Sequence, residues 1–327
     1  MTTQLKGQET YFLPFNMGKG EGVETGSGNP HNPDGVDTEY LWLDVLTMDS
    51  ILQLVESFIF YEVDKSNSKK KTLIFPRYHQ RRAVSRLLED MKTNHTDNNY
   101  LIQHSAGSGK TNTIAWLAHS LVSLHDDQNR NIVDTVLIVT DRIVVDRQLQ
   151  DAVRQINHKN GVVKVMGDRE TSSDLADAIA GNTKIIATTI HKFAQINQSD
   201  WMSVGNTANK KFAILIDEAH SSTTGSYMSS VSQVLTETDT ENGTIDEVQE
   251  VTVADAIEQE IARTGKQDNV SIIAFTATPK ATTLQLFGST QSDGSKAPFD
   301  VYSMKQAINE GFILDVLNNY TTYKTYC

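Results

Sequence analysis

The 327-residue sequence has a single cysteine, Cys327, at its last position. The chain can therefore form neither an internal disulfide nor a zinc site built on several thiolates, which favours a reducing compartment. No apolar run approaches the roughly 18 residues that a membrane-spanning helix needs. The first ten residues, MTTQLKGQET, also lack the apolar stretch of a secretory signal peptide.

The sequence also lacks an excess of positive charge. It has 29 Lys and Arg against 41 Asp and Glu, a net charge of −12. This excludes a nucleic-acid binder that is basic overall, but it leaves room for a local basic face. Residues 65–92 are rich in Lys and Arg, whereas residues 212–262 contain none. Solvated surface is the simpler interpretation of both stretches, and nucleic-acid binding is the alternative for the basic one. Residues 225–269 are expected to form an exposed acidic insertion.

The length alone predicts about two domains of roughly 150 residues. From about residue 72, short β-branched runs alternate with helical patterns, which predicts an α/β fold with a doubly wound, mainly parallel sheet. The predicted strands are 100–102, 135–140, 184–188, 212–216 and 270–275. The predicted helices between them include 113–123, 145–157 and 173–180.

Residues 1–63 differ from the rest of the chain in composition and in the spacing of their apolar residues. Residues 1–38 are rich in Gly, Asn and Pro and are expected to be loop, apart from a short edge strand at residues 10–15. Residues 39–63 space their apolar side chains by three and four, which predicts one or two amphipathic helices. Asp49 or Ser50 is the expected N-cap.

A glycine-rich loop carries the strongest chemical signal. The sequence QHSAGSGKT, residues 103–111, follows a predicted strand and precedes a predicted helix, the context that a phosphate-binding loop requires. Gly107 and Gly109 allow backbone N–H groups to turn towards phosphate oxygens, and the helix adds its positive N-terminal end. An incidental glycine-rich turn is the alternative.

Within this loop, Lys110 is expected to reach the β- and γ-phosphates and Thr111 to bind Mg²⁺. The loop departs from the full phosphate-loop pattern, which has a glycine where this chain has His104. Phosphate loops of the helicase type often lack that glycine, so the departure favours this type among the proteins that have such a loop. The expected nucleotide-binding residues of the loop are Ala106, Gly107, Ser108, Gly109, Lys110 and Thr111.

A pair of acids follows another predicted strand, in the sequence AILIDEAH of residues 213–220. Asp217 is expected to join the Mg²⁺ shell, and Glu218 to orient and deprotonate the attacking water. His220 has no second His or Cys at a zinc spacing. We therefore expect it to relay the nucleotide state to the next motif rather than to bind a metal.

Two further motifs are weaker when taken alone. In FTATP, residues 275–279, the hydroxyls of Thr276 and Thr278 can bond His220 or Glu218; a simple strand-to-turn is the alternative. About 30 residues before Lys110, the amide of Gln80 can pair with N6 and N7 of adenine.

Beside Gln80, Arg77 and Tyr78 can pack on the base. Without the other motifs, Gln80 would be an ordinary helix residue.

Taken together, Gln80, residues 107–111, the DEAH sequence of residues 217–220 and residues 276–279 resemble the first motor domain of a superfamily-two helicase. The segments IVTDR (138–142) and ATTIHKF (187–193) resemble the two nucleic-acid contact motifs of that family. The resemblance implies contacts to backbone phosphates. The residues concerned are Thr140, Asp141, Arg142, Thr188, Thr189 and His191.

More of the chain resembles the restriction (R) subunit of type I restriction–modification enzymes. The segments that carry this resemblance are 11–16, 26–30, 40–42, 77–80, 275–279, 286–288, 308–316 and 319–323. It implies an ATP- and Mg²⁺-dependent translocase on double-stranded DNA. Such a subunit works with methyltransferase (M) and specificity (S) subunits in the cytoplasm of a bacterium or archaeon.

The resemblance also implies a division of the chain. Residues 1–45 would be the tail of an upstream nuclease domain, 46–71 a helical linker, 72–288 the first RecA-like ATPase domain, and 289–327 the connection to a second RecA-like domain. The nuclease residues and the second motor domain would then lie outside this chain. The alternatives are another superfamily-two DNA or RNA helicase, or a nucleotide-binding fragment without turnover.

Overall fold

A computed structural model describes residues 7–63, 71–94, 98–140, 143–156, 162–167, 169–189, 210–219 and 269–315. Its helices are α1 Met48–Gln53, α2 Tyr78–Asn94, α3 Lys110–Leu121, α4 Ile143–Ile156, α5 Ser172–Ala180, α6 Ala281–Phe287 and α7 Met304–Asn309. Its strands are β1 Phe60–Val63, β2 Lys71–Ile74, β3 Tyr100–His104, β4 Thr135–Thr140, β5 Val163–Val165, β6 Ile185–Thr189, β7 Phe212–Ile216, β8 Val270–Thr276, β9 Ser289–Thr290, β10 Lys296–Ala297 and β11 Asp300–Tyr302.

Seven strands form one sheet, in the order β11–β3–β8–β7–β4–β6–β5. Each neighbouring pair is parallel, so the carboxyl ends of all seven strands lie at one edge. The order is not sequential, and helices connect the strands across both faces of the sheet, as in doubly wound folds. The predicted α/β fold, doubly wound and of the RecA-like type, is confirmed.

Both faces of the sheet are covered, as the unbroken apolar strands predict. In β4, Val136 and Ile138 pack into one core cluster, with α2, α3 and α4. Leu137 and Val139 pack into the other, with α5 and α6. Alternate residues of a strand point to opposite faces, so a continuous apolar run fills two layers at once. None of the helices in the described ranges is long and apolar enough to cross a bilayer.

Local sequence explains where several elements begin. The bounds of β4 and β7 match the predicted ranges, and β3, β6 and β8 differ from them by at most two residues. The helix α5 begins with a capping box, in which the Thr171 side chain and the Asp174 side chain each bond the other residue's backbone N–H. The short strands β5 and β11 were not predicted. The predicted acidic insertion lies outside the described residues, apart from Asn269.

The N-terminal part corrects two predictions. Residues 10–15 do not form the predicted edge strand; the segment is attached instead by its Phe15 ring, which packs against Phe75 and Tyr78. The predicted caps Asp49 and Ser50 are also wrong. The N-cap of α1 is Thr47, whose side chain accepts a hydrogen bond from the Ser50 backbone N–H.

The segment predicted as a helical linker, 46–71, is helical only in its first part. After α1 comes a π-helical turn, Leu54–Phe58, and then β1, which pairs antiparallel with β2. The Phe58 carbonyl accepts a hydrogen bond of 2.9 Å from the Trp116 indole of α3. This bond ties the segment to the α/β domain.

The sheet also extends past the predicted domain end at residue 288. Strand β11 comes from the segment predicted to connect to a second domain, yet it pairs parallel with β3, with Tyr302 opposite His104. A three-residue strand gives little periodic signal, so the sequence pattern did not reveal it. The predicted boundary at 288 is therefore too early for the sheet.

A buried charge cluster joins this edge strand to α2. Asp300 is 2% exposed and accepts hydrogen bonds from Arg82 Nε and Nη2 (2.9 Å each), Arg86 Nη1 (3.1 Å) and His104 Nε2 (3.1 Å). Burial alone would raise the pKa of Asp300, but the Arg82 guanidinium and the His104 hydrogen bond hold it well below the ordinary 3.8. The carboxylate therefore stays charged inside the protein.

Asp300→Asn keeps the side-chain shape but removes the charge, and we expect the free energy of unfolding near pH 7 to fall by about 3 kcal/mol. The pKa of Asp300 is lower in the folded protein than in the unfolded chain. The contribution is therefore present above about pH 4 and is lost as the pH falls through the folded-state pKa. Urea unfolding of both proteins across this pH range measures the difference.

The matched control is Asp127→Asn. Asp127 forms a 3.1 Å ion pair with Lys92, but its side chain is 91% exposed, so the loss should stay under about 1 kcal/mol. Equal losses in the two variants, or a loss at Asp300 that does not change with pH, would contradict the buried-pair account.

Candidate nucleotide-binding site

The sheet order brings together motifs that are far apart in sequence. The glycine-rich loop follows β3 and the acidic pair follows β7, and both strands flank β8. Lys110 Nζ lies 3.3 Å from Glu218 Oε1 as a result. Ligands of open parallel sheets bind at this carboxyl edge, so the predicted nucleotide-binding motifs share one site.

The glycine-rich loop needs glycine at two positions. Gly107 has φ +71° and Gly109 has φ +79°, a region that side chains with a Cβ rarely adopt. A Cβ on Gly107 would lie 2.6 Å from Ile313 Cγ2, and one on Gly109 would lie 2.6 Å from Gln80 Nε2. The positive φ therefore favours glycine at both positions, and a larger residue would also displace Ile313 or Gln80.

Three side chains, from Arg77 just before α2 and from His79 and Gln80 in its first turn, donate hydrogen bonds to three consecutive carbonyls of the loop. The pairs are Arg77 Nη1 to the Gly107 oxygen (2.7 Å), His79 Nε2 to the Ser108 oxygen (2.9 Å) and Gln80 Nε2 to the Gly109 oxygen (2.9 Å). These carbonyls thus point towards α2. Helix α3 starts at Lys110 without a side-chain cap. Its Asn112 and Thr113 N–H groups donate to the Gly109 carbonyl, which leaves the N–H groups of Lys110 and Thr111 for an anion.

The structure gives Gln80 a role that its sequence context did not suggest. Its Oε1 accepts from the Arg77 backbone N–H at 2.8 Å, while its Nε2 donates to Gly109. The side chain is buried and fixes the loop to α2. The predicted contact of Gln80 with adenine stays a prediction, as does the packing of Arg77 and Tyr78 on the base.

The acidic pair combines a buried and a more exposed carboxylate. Asp217 is buried, and this burial, reinforced by the neighbouring Glu218, raises the pKa of Asp217 to about 6. Lys110 and the Glu218 backbone N–H, which donates to Asp217 Oδ1 at 3.0 Å, act in the opposite direction. A cation beside Asp217 would favour its charged form.

The chemistry of this donor set fits magnesium. In the described part of the chain, no three His, Cys, Asp or Glu side chains are grouped so as to hold a metal. The predicted Mg²⁺ ligands Thr111 and Asp217 offer one hydroxyl and one carboxylate. Magnesium in nucleotide sites is commonly bound by one or two protein oxygens, with phosphates and waters completing the shell.

The backbone of the acidic pair is strained. Glu218 has φ +54°, which is unusual for a residue with a side chain and is characteristic of functional sites. The Ala219 N–H donates to the Phe275 carbonyl at 3.0 Å, so this turn is attached to β8. At the end of β8, the Thr276 hydroxyl accepts from the Thr278 N–H at 3.2 Å. The predicted coupling residue His220 lies outside the described residues.

The predicted DNA contacts are only partly described. Thr140 and Thr189 pair in register at the ends of β4 and β6, on the same sheet edge as the nucleotide motifs. They and Thr188 are buried, at 2%, 6% and 0% exposure. The other predicted contact residues, Asp141, Arg142 and His191, lie outside the described residues.

Sequence reasoning missed the residues behind the loop. His104, at the position where the full pattern has glycine, is fully buried and donates to Asp300. The His79 ring stacks on Tyr302 with centroids 3.6 Å apart, and the Arg77 guanidinium lies 3.6 Å from the centre of the Phe312 ring. Burial lowers the pKa of both histidines. No local pattern could have linked residues about 200 positions apart.

Comparison with known proteins is consistent with this site. The chain is 28% identical over 212 residues to the type I restriction enzyme MjaVIIIP endonuclease subunit of Methanocaldococcus jannaschii, which covers 60% of this chain and 20% of that protein. It is 25% identical over 222 residues to the type I restriction enzyme SsaAORF53P endonuclease subunit of Staphylococcus saprophyticus, covering 59% and 22%. The matched region is thus about a fifth of each relative's length.

Similar solved structures are helicases and restriction enzymes. The UvsW helicase of bacteriophage T4 has a TM-score of 0.43 and 14% identity, covering 74% of this chain and 66% of that one. A nuclease-deletion mutant of the Type ISP restriction–modification enzyme LlaGI, in complex with a DNA substrate mimic, has a TM-score of 0.41 and 16% identity, covering 73% and 21%. The fold rests on the observed parallel sheet rather than on these similarities.

A sequence profile of the SWI2/SNF2 ATPase family matches residues 79–326. That range includes the glycine-rich loop, the acidic pair and the strand β11, and it covers more than half of the chain. The resemblance to helicase motors and to type I restriction subunits, expected from the motifs, is confirmed. The chain belongs to the SWI2/SNF2 ATPase family.

Proposed function

We propose that this chain is the ATP-dependent DNA translocase portion of a type I restriction endonuclease R subunit. The observation that carries the proposal is the meeting of Lys110 and the Asp217–Glu218 pair at the carboxyl edge of the sheet, with 3.3 Å between Lys110 Nζ and Glu218 Oε1. A cation for the phosphates, a carboxylate for the metal and a second carboxylate for the water are the components of nucleotide hydrolysis.

The loop and α3 would bind the phosphates of ATP. Carbonyls 107–109 are held by Arg77, His79 and Gln80. The N–H groups of Gly109 and Lys110, on the opposite side of these peptides, would face the phosphates, and Lys110 would supply a positive charge beside them. Thr111 and Asp217 would hold Mg²⁺, which when bound neutralises phosphate charge. Occupation of this site would stabilise the charged form of Asp217, whose pKa burial otherwise raises to about 6.

Glu218 would serve as the base. In the structure its carboxylate faces Lys110, a partner that the phosphates would share. Its left-handed backbone places the side chain at the end of β7, beside the nucleotide loop. Glu218 would then accept the proton of the attacking water. Thr276, Thr278 and His220 would couple this site to the rest of the motor.

Duplex DNA would bind along the same edge, at β4 and β6. Strand β7 lies between β8 and β4. It carries the acidic pair of the nucleotide site and is hydrogen-bonded to β4, the first of the two strands proposed to bind DNA. The proposed contacts from Thr140, Thr188 and Thr189 go to backbone phosphates, which carry no sequence information. Target choice would belong to a specificity subunit, acting with a methyltransferase subunit.

Lys110→Ala and Asp217→Asn test the nucleotide site. In the R subunit, each is expected to lower the rate constant of ATP hydrolysis by roughly 100-fold or more and to abolish translocation. The physical reason is that phosphate charge and the metal lose their protein partners. A phosphate-release assay and a triplex-displacement assay would measure the two activities.

The control is Lys92→Ala, which removes an exposed lysine that is ion-paired with Asp127 on the surface. Its activity should match that of the unsubstituted protein. Wild-type translocation by either site variant would refute the assignment of the loop and the acidic pair.

The 327-residue chain by itself should bind ATP–Mg²⁺ weakly and hydrolyse it very slowly, because superfamily-two motors complete their site with a second RecA-like domain. Single-turnover hydrolysis with and without duplex DNA would measure this. Rapid DNA-stimulated turnover by this chain would contradict the prediction.

Thr189→Val tests the proposed DNA edge, because valine keeps the β-branched shape and removes only the hydroxyl. Binding to two unrelated duplexes of equal length should weaken equally, by several-fold, as for a lost hydrogen bond to a charged group. Fluorescence anisotropy measures both affinities. Thr290→Val, at an exposed position of β9, is the control; unchanged binding by the Thr189 variant would remove this residue from the interface.

A further inference from the structure

Residues 300–313 lie beside the glycine-rich loop, on the opposite side of β3 from β8. Strand β11 pairs with β3, and the Ser105 N–H, at the start of the loop, donates to the Tyr302 carbonyl at 3.0 Å. Helix α7 then leads to Phe312 and Ile313. We call residues 300–313 the strap, because they run along the edge of the sheet and end on the loop.

The strap contacts two of the three side chains that hold the loop, His79 of α2 and Arg77 just before it. Tyr302 stacks on His79 at 3.6 Å, with 15° between the ring planes, and His79 donates to the Ser108 carbonyl. Tyr302 is itself fixed, since its hydroxyl donates to Glu310 at 2.8 Å. Glu310 also accepts from Gln306 at 2.9 Å.

The second contact is more direct. The Arg77 guanidinium lies 3.6 Å from the Phe312 ring centre and donates to the Gly107 carbonyl at 2.7 Å. It is thus held between a ring of the strap and an oxygen of the loop. The Phe312 carbonyl and Ile313 Cγ2 would lie 3.3 Å and 2.6 Å from a Cβ on Gly107, so the strap also contacts the loop itself.

We propose that Phe312 is a positioning residue for nucleotide binding, which acts on the phosphate loop through Arg77. The inference rests on the proposed function and adds to it a residue outside the nucleotide motifs. A guanidinium stacked on an aromatic ring loses fewer conformations when it binds a carbonyl. Phe312 thereby keeps the Gly107 carbonyl turned away from the phosphates before nucleotide arrives.

The first test compares Phe312→Leu with Phe312→Tyr in the 327-residue chain. Leucine keeps apolar bulk but has no ring face, whereas tyrosine keeps the ring. The dissociation constant for a fluorescent ADP in the presence of Mg²⁺ should rise roughly fivefold in the leucine variant, as expected for one lost cation–π contact. It should return close to the original value in the tyrosine variant.

The second test is a double-mutant cycle with Arg77→Ala. If Phe312 acts through Arg77, then Phe312→Leu should have no further effect on affinity once Arg77 is absent. A residue that merely packs would lower the unfolding temperature and leave affinity unchanged at temperatures well below unfolding. Affinity and thermal unfolding are therefore measured on every variant.

Leu314→Ala is the matched control, since Leu314 lies two residues from Phe312 and is 78% exposed. It should change neither affinity nor stability. Unchanged affinity in the Phe312→Leu variant, or an equal loss in the presence and absence of Arg77, would overturn the positioning role. No nucleotide binding by the unsubstituted chain would instead overturn the proposed function, and this inference with it.

Discussion

The arrangement of this site depends on one constraint: the carbonyls of the phosphate loop need hydrogen-bond partners. A loop that turns its N–H groups towards an anion must turn carbonyls the other way, and an unpaired carbonyl is costly where it is buried, as at Ser108. Arg77, His79 and Gln80 provide one partner each for residues 107–109. The start of α2 is therefore as much a part of the loop's structure as the two glycines are.

The sheet carries two buried carboxylates with opposite pKa shifts, one in a structural charge cluster and one in the candidate nucleotide site. Asp300, beside two guanidinium groups and a histidine, has a pKa held well below its ordinary value. Asp217, beside Glu218, has a pKa raised to about 6. The negative charge of Asp300 is stabilised by cationic and hydrogen-bonding partners within the protein, and the carboxylate joins β11 to α2. The negative charge of Asp217 is disfavoured by burial and by Glu218, and an incoming cation would favour its charged form.

The features predicted correctly from the sequence are those that depend on a local pattern of neighbouring residues. Unbroken apolar runs predicted the central strands, because a strand covered on both faces needs apolar residues at every position. The loop and the acidic pair were visible because each follows such a strand. The N-cap at Thr47 was missed, since several nearby residues could cap and only the backbone decides among them. Asp300 carried no signal, because its meaning comes from Arg82 and His104, about 200 positions away.

The position of β11 explains why residues outside the motifs can influence the nucleotide site. An edge strand beside β3 leaves the sheet next to the phosphate loop, and α7 is short enough to return the chain to that loop within ten residues. Phe312 reaches Arg77 there. The neighbouring Ile313 lies against Gly107 itself, so a displacement of residues 312–313 would reach the loop both directly and through Arg77. Of these two routes, only the one through the Arg77 guanidinium ends on a loop carbonyl by a hydrogen bond, which is why Phe312 can influence the orientation of that carbonyl.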